Sequence, residues 1–291
     1  MSALLSEKAF AKINLTLRVL GRRADGYHEL ESLVAFAGVA DTVALEPGVG
    51  DGLALSGPFA GKSGAVKDNL VLKALGELRN RVPGLKGGRF HLEKNLPVAA
   101  GIGGGSADAA AALRLLARAN GLATDDPRLL AAAGSVGADV PVCVDPRPRI
   151  MRGIGEILSG PVNLPPLPAV LVNPGVGLTT RNVFERFKGP RNNAALADVP
   201  GKFDALIQFL DRYGNDLTAA AIACAPVIGE VLDTLRSAAG SRLSRMSGSG
   251  ATCFALFDSH GEADAIARQL KSSHAGWWVQ PTTIGKAPEK T

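Results

Sequence analysis

Cysteine is scarce in this sequence, with Cys143, Cys224 and Cys253 the only three among 291 residues, and no two of them form a Cys-x-x-Cys pair. An odd number at wide spacing excludes a disulfide framework, and the apolar neighbours of each predict buried thiols in a reducing compartment. The four histidines, His28, His91, His260 and His274, fit no zinc spacing, so no structural metal is expected. Aromatic residues are only 5% of the chain and are not interleaved with the basic pairs Arg22 with Arg23 and Arg242 with Arg245, which excludes a stacking surface for nucleic acid. The net charge, 32 basic minus 27 acidic residues or +5, is too small and dispersed to restore that reading. The longest uncharged run, 157–180, is broken as a membrane helix by Pro161, Pro165, Pro166, Pro168 and Pro174. Glu7 and Lys8 interrupt what would be the apolar heart of a secretory signal, so a cytoplasmic protein is expected.

Hydrophobic residues are 46% and charged residues 20%, with 35 glycines and 18 prolines spread along the chain, a composition that belongs to globular proteins. From Ala11 to Val19 apolar and polar residues alternate, predicting a half-buried strand whose polar side carries Lys12, Asn14, Thr16 and Arg18. Strand-like runs over 27–45 extend an antiparallel start. Asp68 or Asn69 can cap a helix to about Arg81, and a strand is expected over 89–94. The glycine run Gly101 to Ser106 leads into a helix over 107–120 closed by Gly121, followed by a helix with Pro127 in its first turn and a short buried strand over 141–144. Prolines over 160–168 mark a boundary. Beyond it come a strand at 169–173, helices near 180–187, 205–213 and 226–239, the turn Met246 to Thr252, a strand at 253–257, a helix at 262–270 and a last strand near 277–280. The pattern predicts an α+β protein in two domains, 1–159 and 160–291.

Four segments carry chemistry. A glycine-rich loop entering a helix offers unpaired N–H groups and the positive end of a helix dipole to an anion, and phosphate is the obvious one. Its order matches neither the Walker loop nor the dinucleotide fingerprint, and tight packing alone also explains such a loop. Ser247-Gly248-Ser249-Gly250 repeats the permissive backbone, or is an ordinary strand-entry turn. Lys12 and Asn14 either face water or line a site. Asp139, in Gly137-Ala138-Asp139-Val140-Pro141, is either a working side chain or a turn aspartate bonded to its own backbone. Tyr27, read alone, is a half-buried strand aromatic.

These segments, in this order, resemble the GHMP kinases. Residues 97–111 resemble that family's phosphate-binding motif and residues 246–257 its C-terminal glycine motif. Ala11-Lys12-Ile13-Asn14-Leu15, Arg23-Ala24-Asp25-Gly26-Tyr27-His28-Glu29-Leu30 and 137–141 narrow the resemblance to the branch acting on a cytidine diphosphate derivative of methylerythritol. The resemblance implies the two-domain GHMP kinase fold with the active site in the interdomain cleft, and transfer of phosphate from ATP, with Mg2+, to a 2-hydroxyl on the non-mevalonate route to isoprenoids. It implies Lys12 and Asp139 as the catalytic pair, and Tyr27 and His28 around the cytosine. Asn14 and Thr180 would approach the substrate. Asn69 and Lys94 would lie near the nucleotide, with Pro97, Val98, Ala99, Ala100, Gly101, Ile102, Gly103, Gly104, Gly105 and Ser106 around its phosphates. The metal ligands are left unassigned, although Ser106 matches a metal-contacting position in some relatives. The chain departs from the family at Ala99 and Ala100, where many relatives carry another glycine. Other readings are a mevalonate- or homoserine-type kinase, which would have no cytidine for Tyr27 and His28 to hold, and a non-catalytic homologue, which would be expected to have lost Lys12 or Asp139.

Overall fold

In the computed structural model, which describes residues 4–189 and 195–287, the N-terminal alternation forms two strands rather than one. β1 (Leu5–Asn14) stops at Asn14 and β2 (Arg18–Arg22) follows after a short break. The polar side of this segment does not face water, since Lys12, Asn14, Thr16 and Arg18 are all buried. β2 pairs antiparallel with β3 (His28–Pro47), a 20-residue strand. β4 (Gly52–Ser56) precedes α1 (Leu70–Arg79), whose N-cap is Asn69: its Oδ1 accepts from the Val71 N–H at 3.0 Å. β5 (Gly88–Glu93) alternates as a one-sided strand, with Phe90 and Leu92 inward and Arg89, His91 and Glu93 outward.

α2 (Gly104–Asn120) begins inside the glycine run, three residues before Ala107, and closes at Gly121 with φ 66°. It is apolar almost all round, and its alanines let neighbours approach closely. Leu113, Leu115 and Leu116 are fully buried, each stabilising by roughly 1.5–3 kcal/mol. α3 (Pro127–Val136) is capped by Asp126. The short strand expected at 141–144 is instead a helix, α4 (Val140–Val144), with Pro141 in its first turn, where a missing N–H costs nothing. A five-residue apolar run fits either element by pattern, and here neighbouring helices rather than strands surround it.

A hairpin of β6 (Arg149–Gly153) and β7 (Ile157–Leu158) precedes β8 (Leu167–Asn173), every residue of which is buried. Then follow α5 (Thr180–Arg186), α6 (Phe203–Tyr213), α7 (Thr218–Cys224) and α8 (Val227–Arg236). β9 (Leu243–Met246), β10 (Cys253–Leu256), α9 (His260–Ser273) and β11 (Trp278–Gly285) complete the described chain. Ser259 and Glu262 form a reciprocal capping box on α9. Cys143 and Cys253 are buried as expected, but Cys224, at the end of α7, is only partly covered.

The chain divides into two compact units, neither continuous in sequence: Met1–Ala11 with Val39–Val98 and Gly103–Pro146, and Lys12–Gly38 with Ala99–Ile102 and Arg147–Thr291. This division by packing is not the single 159/160 boundary read from prolines, because β1 and β3 each contribute to both units. In the first unit β5 lies between the later half of β3, antiparallel, and β4, parallel, with α1 and α4 packed on α2. Arg114 of α2 ties this unit together, donating to Cys143 O at 2.7 Å and Lys8 O at 2.8 Å and pairing with Glu7 at 3.3 Å. In the second unit β8 lies between β11 and β10, both antiparallel, and α8 and α9 cover the strands. A strand covered on both faces reads as the continuous apolar run seen at 167–172.

Candidate active site

In the second unit, two backbone loops interlock beside the end of β1. The Lys12 N–H donates to Ile102 O at 2.9 Å and the Thr252 N–H to Ala100 O at 3.0 Å, so loop 99–102 is held from both sides. Ser247 joins the two: its Oγ accepts from the Asn14 N–H at 3.1 Å and donates to Gly101 O at 2.9 Å. Glycine is required at the crossing. Gly101 (φ 73°) and Gly248 (φ 56°) have left-handed backbones; a Cβ on Gly101 would lie 2.5 Å from Ser247 O, and one on Gly248 would lie 2.8 Å from Gly101 O. Asn215 Nδ2 fixes the turn by donating to Met246 O at 2.8 Å and Gly248 O at 2.9 Å.

A continuous polar chain explains why the hydrophilic side of β1 can be buried. Lys12 Nζ donates to Asn14 Oδ1 at 3.2 Å, Asn14 Nδ2 donates to Ser32 Oγ at 2.7 Å, and Ser32 Oγ donates to Thr16 O. Thr16 Oγ1 in turn accepts from the Leu33 N–H at 2.9 Å. Buried polar groups persist when satisfied, and this chain also fixes the rotamers of Lys12 and Asn14. Thr180, exposed at the start of α5, has its hydroxyl 3.0 Å from that of Ser249. The predicted residues Lys12, Asn14 and Thr180 thus gather around the serine-glycine turn.

His28 opens β3 and stacks on Phe184 of α5, ring centroids 4.7 Å apart and 21° from parallel, with Phe187 edge-on at 6.3 Å. Tyr27 is 61% exposed rather than a half-buried strand aromatic. An aspartate turn holds its backbone, Asp25 Oδ1 accepting from the Tyr27 N–H at 3.1 Å.

In the first unit, Gly103 (φ 62°) is the N-cap of α2, so Gly104, Gly105 and Ser106 form its first turn and their N–H groups point out of the helix end. Asp139 is half-buried at the N-cap of α4, lies between two helices rather than before a strand, and makes no capping bond with its side chain. Asn69 has its Oδ1 committed to the cap of α1. Lys94 is buried, and its Nζ donates to Asp41 Oδ2 and, at 2.7 Å, to Asp108 Oδ2. Burial opposes the Lys94 charge, but the two carboxylates outweigh it and hold its pKa above the usual lysine range. Asp108 is pushed up, to about 8, by burial first and by the Asp41 charge, with Lys94 acting the other way. Among the described residues, Asp108 Oδ1 is the one buried side-chain oxygen or nitrogen without a hydrogen-bond partner.

Several residues that shape these sites were missed by sequence reasoning. Ser247 and Ser249 lay in a visible motif, but nothing local marks Asn215, Phe184 or Ser32. Asp41 and Asp108 had a readable signal, each being a lone acid in an apolar run. Ala99, where the family pattern is broken, has φ 53°, a left-handed backbone that disfavours alanine.

Comparison with known proteins gives consistent matches. The model for the GHMP kinases N terminal domain matches residues 69–145 and that for GHMP kinases C terminal matches 194–276. The 4-diphosphocytidyl-2-C-methyl-D-erythritol kinase of Methylorubrum extorquens is 55% identical, covering 97% of this chain and 99% of its own. The kinase of the same name from Xanthobacter autotrophicus is 54% identical with the same coverage. The crystal structure of a 4-(cytidine 5'-diphospho)-2C-methyl-D-erythritol kinase matches at TM-score 0.78 and 35% identity, covering 97% of this chain and 99% of that one. Homoserine kinase from Cytophaga hutchinsonii ATCC 33406, 21% identical with TM-score 0.73 over 99% and 96% of the two chains, shares the fold.

Proposed function

This chain belongs to the GHMP kinase family, and we propose that it transfers phosphate from ATP to the 2-hydroxyl of 4-diphosphocytidyl-2-C-methyl-D-erythritol, on the non-mevalonate route to isoprenoid precursors. The observation that carries this reading is identity of 54–55% to enzymes of that name over nearly the whole chain. In our reading the family's N-terminal domain covers residues 1–159 and its C-terminal domain 160–291, around the matched stretches 69–145 and 194–276. The cytoplasm is our reading of its location, on three cysteines that form no disulfide; separately, no helix among the described residues is long and apolar enough to cross a membrane.

Phosphoryl transfer demands positioning and charge stabilisation more than covalent chemistry. In our reading Asp139 accepts or orients the proton of the attacking hydroxyl, and Lys12, its rotamer fixed through Asn14, offsets charge developing on the transferred group. Asn14 and Thr180 touch the alcohol. The exposed Tyr27 ring offers a flat face to the cytosine, and His28 offers hydrogen bonds at its edge. Residues 97–106 wrap the triphosphate, with the α2 N-terminus attracting its charge, and Asn69 and Lys94 lie near the nucleotide. Among the described residues no group of three or more His, Cys, Asp and Glu side chains could cage a metal. The N–H donors at the α2 N-terminus suit phosphate rather than a cation, so a magnesium ion would be held mainly by the nucleotide phosphates, with the Ser106 hydroxyl a candidate ligand. Bound there, magnesium would neutralise charge on the β- and γ-phosphates.

The test is ADP release with ATP and magnesium, offering 4-diphosphocytidyl-2-C-methyl-D-erythritol, mevalonate and homoserine in parallel, with phosphorus NMR on the product. Release with the cytidyl alcohol alone and a new 2-phosphate signal are expected; turnover of another alcohol alone would overturn the substrate assignment. Asp139→Asn is expected to abolish turnover while ATP still binds, and substantial residual turnover would remove Asp139 from its role.

A further inference from the structure

We infer that Lys94 braces the neck of the phosphate loop rather than reaching for a phosphate, and that Asp41 and Asp108 act through it as positioning residues for ATP; this rests on the kinase reading above. Lys94 and Asp108 stand on either side of residues 95–107, and the 2.7 Å bond between them closes that loop at its base. Asp41 grips the same ammonium and, with its other oxygen, accepts from the Leu96 N–H at 2.8 Å, so the first residues of the loop are fixed as well.

The base is itself immobilised. The Lys94 N–H donates to Ser56 O at 2.8 Å and Lys94 O accepts from the Phe59 N–H at 3.1 Å. Asp108 is the fifth residue of α2, so its bond to Lys94 sets the rotation of that helix and the direction of its first-turn N–H groups. All three residues are at most 4% exposed. A lysine with two of its three donors committed to buried carboxyl groups has one donor left for any ligand and serves as a strut. Replacing such a cluster by apolar residues is often neutral or stabilising elsewhere, so its use here fits a task of fixing geometry.

The two roles for Lys94 predict opposite signs. Asp108→Ala removes one of two carboxyl groups from a single lysine and leaves the Asp41 pair intact, so folding is expected. If the neck is a brace, its Kd for ATP with magnesium, measured by calorimetry without the alcohol, rises about tenfold. KM for ATP rises with it, while KM for the alcohol stays within about twofold. Asp108→Asn, whose amide oxygen still accepts from Lys94, restores ATP affinity to near the native value. Were Lys94 a phosphate ligand, freeing it from Asp108 would tighten ATP binding, and that result overturns the brace. A lowered Tm with an unchanged ATP Kd overturns it too. If Asp108→Ala does not fold, Asp108→Ser, which breaks the neck yet keeps a hydroxyl near the ammonium, is measured in its place under the same criteria. Native protein that turns over none of the three alcohols sinks the kinase reading, while the ATP Kd values still decide the brace.

Discussion

The loop at 97–106 is closed at its neck by a buried lysine between two aspartates, whereas the turn at 246–252 is closed by neutral groups alone. There the Ser247 N–H donates to Thr252 O at 2.9 Å, Asn215 Nδ2 spans two carbonyls, and Asn173 Nδ2 reaches Thr252 Oγ1 at 2.9 Å. Both loops use glycines at left-handed φ, yet their braces differ in what they cost to break. A neutral hydrogen bond contributes about 1 kcal/mol net and is indifferent to pH. A buried ammonium between two carboxyl groups leaves uncompensated charge when its centre is removed, and one of those groups titrates within the working pH range.

The largest break in the comparison is Lys94→Met. It leaves the Asp41 carboxylate without its counter-charge in a dry site beside Asp108, and urea unfolding at pH 7 is expected to show a loss of about 3–5 kcal/mol. Next comes pH. The Asp108 carboxyl is pushed up in the folded protein, to about 8, and sits near its ordinary value of 3.8 in the unfolded chain. Between those values the folded state holds the extra proton, so this group's contribution to stability is complete in acid and is lost as pH rises toward 8. Native Tm is expected to fall by about 5 °C more than that of Asp108→Asn between pH 5 and 8. Burial raises Asp216 in the same direction, so the difference between the two proteins, rather than the native curve, isolates the brace.

Asn215→Ala sharpens the contrast from the neutral side. It leaves two carbonyls without their donor and is expected to cost about 1–2 kcal/mol in urea unfolding, by the same amount at pH 5 and pH 8. The smallest effect has the opposite sign. Ala99 is exposed at φ 53°, and Ala99→Gly is expected to raise stability by at most ~1 kcal/mol by relieving the left-handed strain.

Local chemistry made much of this legible in advance. The Asn69 cap, the Gly121 stop and Pro127 in a first turn each follow from one residue's backbone preference, and each appears where the sequence places it or within a residue or two. The errors arise where tertiary partners decide. Residues 140–144 are too few for periodicity to separate helix from strand. Lys12 and Asn14 lie on what looks like a solvent face because Lys12 leans on Asn14, whose own partners, Ser32 and Ser247, are 18 and 233 residues away in the chain. The commitment of Lys94 is invisible for the same reason: its partners sit 53 residues before it and 14 after.

The cysteines have a practical consequence. Cys253 is sealed in apolar surroundings that push its thiol pKa well above the usual range, and Cys143 is buried as well. Cys224 alone is partly accessible, and its Sγ lies 3.7 Å from Asn182 O on α5, the helix that begins at Thr180 and carries Phe184. A small environment-sensitive fluorophore attached by alkylation will therefore report from one position on native protein, beside the helix that presents its ring to His28. Titrated with the nucleotide and the alcohol in turn, that signal would separate the two binding events without any engineered residue.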